Sequence, residues 1–276
     1  MTRTILITGT SSGYGKAMAD LFLDRGWNVI ATMRRPDPTL FTDHAGRLKL
    51  LPLDITDPHS IDAAIAGGVD AFGAIDAWVN NAGIGLGSIV EATPNSVVRE
   101  IFETNTFGTF AACRAIIPQM RRQGHGTIIN VTSSATIGVM PLVAIYAASK
   151  CAVEGFTESL SHELEGFNIK ARLVEPGYAP TTNFTANGMA RMQGLIPADY
   201  AGFAQACFAK MGDYPTGFCT EAEVAEATFA AAIDDGVRIR YPAGADTKLL
   251  AQLRWSSSEE HYQMRMREMF SPAIAP

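Results

Sequence analysis

Short β-branched runs alternate with longer helical stretches along nearly the whole chain, and this alternation constrains the fold more than any other feature. Thr4-Ile-Leu-Ile-Thr8 reads as a buried strand, followed by a helix over Lys16 to Leu23 that ends at Gly26. Further strands are expected at Trp27 to Met33, Leu48 to Leu53, Ile75 to Asn80, Thr127 to Thr132, Ile169 to Val174 and Arg238 to Tyr241. Asp57-Pro58 and Thr93-Pro94 each open a helix, with proline in the first turn; the second continues to about Arg122. A long helix is expected from Val143 to about Gly166, and Thr220-Glu-Ala-Glu223 is a capping box that starts another. Strands separated by helices of ten or more residues pair in parallel, because a parallel crossover needs about a dozen residues. The near-continuous apolar strands fit a sheet covered on both faces. The fold expected is α/β, a single doubly wound parallel sheet with helices on both faces.

With 276 residues, 47% of them hydrophobic and 18% charged, the chain can bury one large core, so residues 1–276 are expected to form one domain. Two segments fall outside the alternation: a stretch at about 182–217 and a helical tail at about 245–276. The first follows strand six, beyond whose carboxyl end ligands bind in such a sheet, so it is placed as a helical substrate lid. Lys and Arg number 22 against 28 Asp and Glu, a net charge of −6, and no basic run exceeds two residues. That balance argues against a nucleic-acid or anionic-membrane surface. Cys113, Cys151, Cys207 and Cys219 lie far apart without histidines at metal-ligand spacing, so buried free thiols in a reducing compartment are expected, with no metal. The longest stretch free of charged residues, 123–149, holds Asn130, Thr132, Ser133 and Pro141 and is too polar to span a membrane. No signal-peptide pattern opens the chain, and the expected location is the cytoplasm.

Strand one runs into Thr8-Gly9-Thr10-Ser11-Ser12-Gly13-Tyr14-Gly15 and then a helix. Glycines there let the backbone turn sharply and approach a pyrophosphate, whose charge the helix N-terminus favours. In a dinucleotide-binding sheet the end of strand two reads the ribose, an acid favouring the free 2′-hydroxyl and an arginine the 2′-phosphate. Here that strand ends Met33-Arg34-Arg35 without a carboxylate, which points to NADP(H) over NAD(H).

Tyr146-Ala-Ala-Ser-Lys150 opens the long helix after strand five, and i, i+4 spacing puts phenol and ammonium on one face. Thr132-Ser133-Ser134 ends strand five, Asn80-Asn81-Ala82-Gly83 ends strand four, and Asn105 interrupts a regular helical pattern. Hydride transfer to a ketone builds an alkoxide, which needs a proton donor and a second hydrogen bond. A free tyrosine titrates near ~10, so a neighbouring ammonium is a simple way to make it useful near neutrality.

With these motifs, together with Ser133 thirteen residues before Tyr146 and Pro176-Gly177, the chain resembles the short-chain dehydrogenase/reductase family in its compact, Rossmann-type branch, over roughly residues 3 to 242. The resemblance implies that Tyr146 is the general acid/base, that Ser133 bonds the same oxygen, and that Lys150 holds the nicotinamide ribose. It implies that Asn105 keeps a water in the proton relay. For the cofactor it implies Gly9, Ser11, Ser12, Gly13, Tyr14 and Gly15 at the pyrophosphate, and Arg34 with Arg35 at the 2′-phosphate. Asp54 and Ile55 would lie at the adenine, Asn81, Ala82 and Gly83 at the ribose, and Pro176, Gly177 and Thr181 on the nicotinamide side. Tyr14 stands where the family usually has Ile, and Ser12 where some NADP-dependent members carry a basic residue. The family also implies a homodimer or homotetramer, through the helices at about 107–122 and 143–166; Ala111, Ala115, Ala152, Val153 and Phe156 would allow close packing there, or could equally face the sheet.

Phe184, Met189, Met192, Leu195, Ile196, Tyr200, Phe203, Phe208 and Met211 crowd the lid segment. They suit ordinary core as well as they suit an adaptable apolar lid over a hydrophobic ketone or secondary alcohol. A non-catalytic NADP sensor and an NAD-preferring alcohol dehydrogenase stand as alternatives, as does a sugar-nucleotide epimerase, whose larger C-terminal domain and different glycine spacing are lacking.

Overall fold

A computed structural model describes residues 2–42, 46–180, 182–212 and 217–272 of the chain. Strands β1 (Thr4–Thr8), β2 (Asn28–Met33), β3 (Leu48–Pro52), β4 (Ala77–Asn80), β5 (Gly126–Val131), β6 (Ile169–Pro176) and β7 (Arg240–Ala243) form one sheet in the order β3-β2-β1-β4-β5-β6-β7. Every pairing is parallel. The order reverses between β1 and β4, so the crevice at their carboxyl ends is the topological switch point.

Alternate side chains of each strand serve opposite faces. Ile5 and Ile7 meet Met18 and Phe22 of α1 (Gly13–Asp24) and Val224 and Ala231 of α8 (Glu221–Ile233). Leu6, Trp78 and Ile128 face the other way, onto Ile61 of α2 (Pro58–Phe72), Ile116 of α4 (Gly108–Gln123) and Leu160 of α5 (Ala144–Leu164). The caps form where the sequence places them: Asp57 accepts from His59 N–H at 3.0 Å, and Thr220 with Glu223 closes the capping box. Within the sheet a buried chain of polar groups crosses three elements: Trp78 Nε1 donates to Asn80, Asn80 Nδ2 to Asn130, and Asn130 Nδ2 to Thr157 of α5. Each donor and acceptor is satisfied, so the chain fixes β4 and β5 against α5 without an orphaned amide.

Three expectations shift. The last strand starts two residues late, at Arg240, because its register on β6 pairs Leu173 with Arg240 and Pro176 with Ala243. It contains Pro242, which an edge strand tolerates because one of its sides needs no donors. The helix opened by Pro94 runs as α3 (Asn95–Phe102), a π turn over Glu103–Phe107, and α4. Asn105 sits inside that π turn, the irregularity its polar side chain signals. Cys113, Cys207 and Cys219 are buried, but Cys151 is exposed, one residue past Lys150 on the outer side of α5.

The two segments outside the alternation are helical. The first holds α6 (Asn183–Arg191) and α7 (Ala201–Gly212), and the tail holds α9 (Ala245–Ser256) and α10 (Glu259–Phe270). Tyr262 of α10 pins the tail to the loop after β5, donating to the Ile137 carbonyl at 2.5 Å and accepting from Val139 N–H at 3.1 Å. Among the described residues no helix is long and apolar enough to cross a membrane.

Candidate functional site

At the switch point β1 and β4 are tied by their own end groups. Thr8 Oγ1 accepts from the Asn81 and Ala82 N–H groups at 2.9 and 3.0 Å, and Asn81 Nδ2 donates to the Thr8 and Gly9 carbonyls at 2.9 and 3.1 Å. Gly9 and Gly13 turn the chain at φ +73° and +54°. A Cβ on Gly15 would stand 2.1 Å from the Gly9 carbonyl oxygen, so only glycine lets the first turn of α1 close on the strand end. The result is a backbone cradle at a helix N-terminus, suited to a pyrophosphate. Tyr14 projects from it across the crevice and donates to the Gly177 carbonyl at 3.1 Å, and burial drives its phenol far above the ordinary range.

The other end of the crevice follows β2 and β3. Arg34 lines the crevice; Arg35, its exposed neighbour, does not. Asp54 accepts from the backbone and hydroxyl of Thr56 at 3.0 and 2.8 Å. Those bonds, with the Arg34 guanidinium adding to them, hold its carboxyl below the usual range.

On the far side α5 presents Tyr146 and Lys150, both buried, to the turn after β5 that bears Ser133. Ser133 hydrogen-bonds Tyr146, which lowers the phenol, but burial is the larger effect and pushes it up to about 12. Lys150 Nζ donates to the Val131 carbonyl at 2.9 Å. Burial lowers its ammonium to about 8, against the opposing charge of Glu154. Asn105 is fully buried; its amide accepts from Ile84 N–H at 2.9 Å and donates to the Ile84 carbonyl and Ser149 Oγ at 2.9 and 3.2 Å. It fixes the loop after β4 close to the lysine: a Cβ on Gly83 would lie 3.2 Å from Asn105 Oδ1 and 3.4 Å from Lys150 Nζ.

One cavity of about 1190 Å³ joins these walls. Ser133, Tyr146, Lys150, the glycine loop, Arg34, Asp54, Ile55, Asn81, Ala82, Gly83, Pro176 and Gly177 all line it. Asn105 stands behind the wall, and Thr181 lies outside the described residues. The lid residues divide. Phe184, Met189, Met192, Phe208 and Met211 line the cavity, with the Phe184 ring 5.8 Å from that of Tyr146. Leu195 packs with Leu86 and Ile101, Ile196 and Tyr200 pack on Ile89 and Leu142, and Phe203 is exposed. The sequence reading missed Met140, Leu142 and Val143 on the loop before α5, and Phe270 from the last turn of α10. The loop residues precede Tyr146 directly, a signal that could have been used; Phe270 carries no local signal. Among the described residues no group of three or more His, Cys, Asp or Glu is placed to hold a metal.

Behind the site Arg240 gathers three carboxylates. Its Nη1 donates to Glu154 Oε2 at 2.9 Å and to Glu175 Oε1, and its Nη2 to Glu158 Oε1 at 2.9 Å. Glu175 is fully buried and its Oε2 has no hydrogen-bond partner. Burial, and then the charge of Glu154, raise its carboxyl to about 7 despite Arg240.

A family model described as short chain dehydrogenase matches residues 3–191. The chain is 38% identical over 183 residues to a 3-ketodihydrosphingosine reductase of Bacteroides thetaiotaomicron, an alignment spanning 66% of each protein. It superposes on a short-chain dehydrogenase from Streptomyces avermitilis with a TM-score of 0.78 and 28% identity, covering 97% of this chain and 96% of that one. It also superposes on ElxO with NADP bound, at a TM-score of 0.74 and 26% identity over 88% of this chain and 98% of that one.

Glu175 generates a prediction about pH. Its folded value near 7 lies above the ordinary 4.5, so its favourable contribution is complete below about 4.5 and lost as pH rises through 7. Glu175→Gln, neutral at every pH, should therefore stabilise the protein relative to wild type by roughly 1–3 kcal/mol more at pH 8 than at pH 4.5. Urea unfolding at both pH values checks this; an equal or reversed difference contradicts it.

Proposed function

The chain belongs to the short-chain dehydrogenase family, and we propose that it is an NADP(H)-dependent oxidoreductase acting on a hydrophobic ketone or secondary alcohol. One observation carries the reading: Ser133, Tyr146 and Lys150 converge on the wall where the glycine-loop crevice meets the apolar arm of the same cavity. When bound, the nicotinamide supplies or accepts the hydride. Tyr146 then gives its proton to the developing alkoxide, and Ser133 holds the same oxygen by a second hydrogen bond. Lys150, still largely protonated below its value of about 8, holds the ribose and favours loss of the phenolic proton. Asn105, beside it, keeps the water that returns the proton. The sensor alternative gains nothing from this arrangement, because a sensor has no use for a buried proton donor paired to a serine.

NADP(H) is supported by Arg34 on the crevice wall, by the buried Met33 in place of an acid, and by the NADP held in ElxO. The hydrophobic substrate is supported by Phe184, Met189, Met192, Phe208 and Met211 on the cavity wall, and by the relative named for a 3-keto sphingoid substrate. We further take residues 1–276 as one domain in which 182–217 acts as the lid and a helical tail follows at about 245–276, with Asp246 and Phe270 on the cavity wall. Four unpaired cysteines fit the reducing cytoplasm.

We also infer a homodimer or homotetramer through α4 and α5. Phe110 and Phe156 stack at 4.1 Å on their outer side, beside Phe107, which is 54% exposed. Val153, by contrast, faces inward and is buried. An aromatic patch of this kind calls for a covering surface.

Three outcomes are expected. With a panel of apolar ketones followed at 340 nm, kcat/KM should favour NADPH over NADH, and Arg34→Ala should erode the preference through NADPH affinity; equal use of NADH overturns the cofactor assignment. Tyr146→Phe should lower kcat by roughly 10²-fold or more while NADPH still binds; retention of over about a tenth of kcat would assign the proton to another group. Light scattering at micromolar concentration should report a dimer or tetramer, and a monomer contradicts it.

A further inference from the structure

Glu154 lies one helical turn beyond Lys150 and two beyond Tyr146, so α5 presents all three on one side. It is buried, and beyond the support that its charge gives the Lys150 ammonium the proton-transfer chemistry does not use it. Its Oε1 accepts from the Thr132 hydroxyl at 3.1 Å and from the Thr136 hydroxyl. These two threonines bracket Ser133. Thr132 precedes it directly, and Thr136 closes the short helical turn over Ser134–Thr136 that Ser133 caps through its bond from Ala135 N–H. Thr136 Oγ1 also lies 2.5 Å from the Ser133 carbonyl, so the turn is fastened on both sides of its serine. The other carboxylate oxygen accepts from Arg240 at 2.9 Å, and this guanidinium makes the buried charge tolerable.

We propose that Glu154 is a positioning residue, whose carboxylate holds the turn bearing Ser133 against the helix bearing Tyr146 and Lys150 and thereby sets the Ser133–Tyr146 hydrogen bond. Ser133 rides on a short turn after the strand, whereas Tyr146 rides on a long helix, and twelve residues of connecting chain separate them. Motif spacing alone does not hold two such groups to a fraction of an ångström. A carboxylate bridging both flanks of one to the helix of the other does. The kinetic consequence rests on the proposed hydride chemistry; the structural one does not.

The test uses the full chain with Glu154→Ala, Glu154→Gln and the double variant Thr132→Val/Thr136→Val. The double variant leaves the Glu154–Arg240 pair intact, so it carries the test if Glu154→Ala fails to fold. In Glu154→Ala and in the double variant, amide hydrogen exchange over residues 132–137 should quicken by roughly tenfold or more. Their kcat should fall by about tenfold or more, because small misplacements of reacting groups are costly, with KM for NADPH within about threefold of wild type. Glu154→Gln keeps an acceptor oxygen for both threonines and should hold exchange over residues 132–137 within about threefold of wild type. Wild-type exchange over 132–137 in a folded Glu154→Ala or double-valine protein overturns the proposal whatever the activity. So does wild-type kcat in either. If the unaltered protein reduces no carbonyl, the proposed reaction falls, and the exchange measurement alone decides the role of Glu154.

Discussion

A parallel sheet covered on both faces leaves the backbone polar groups of its inner strands open only at the strand ends, and the site of this protein depends on that restriction. Between paired strands the N–H and C=O groups are taken by the neighbouring strand. At the carboxyl ends of β1, β4, β5 and β6 the chain must turn and satisfy what pairing leaves over. Thr8 and Asn81 do this for β1 and β4, and Lys150 does it for β5 by donating to the Val131 carbonyl. The groups that close the sheet are thus those that line the crevice. Binding chemistry arises here because the fold gathers polar side chains at one edge of an otherwise apolar interior.

What could be read from the residues divides along the same line. The strands, the caps and the glycine cradle are local matters, governed by period, by proline and by the space a Cβ would need at Gly15. They were legible. The separation of Arg34 from Arg35 was not, since both lie in the bend after β2 and nothing in the pair says which of them faces the crevice. Nor was the division of the lid, where Phe184 turns to the cavity while Leu195 turns to Leu86 and Ile101. Both are large apolar residues in a helical segment, and tertiary packing alone distinguishes them. Phe270 and Arg240 reach the site or its rear wall from far along the chain. Their importance comes from whom they meet. Composition and spacing carry no trace of that.

The electrostatics of the site follow from how deeply its reactive groups are set. Burial disfavours both the tyrosinate and the ammonium, so it pushes Tyr146 up to about 12 and Lys150 down to about 8, away from one another. Left alone, burial would strip Lys150 of its charge. Glu154 opposes this from one helical turn away, and Arg240 binds both Glu154 and Glu175. Glu175 then bears the strain of the arrangement, as a buried carboxyl with an unpartnered oxygen. The buried wall that bears Ser133, Tyr146 and Lys150 therefore has a compensating cluster behind it, and the edge strand β7 supplies the cation. On this view the sheet's last strand is more than a cover for β6: its single arginine lets that wall be buried and charged at once.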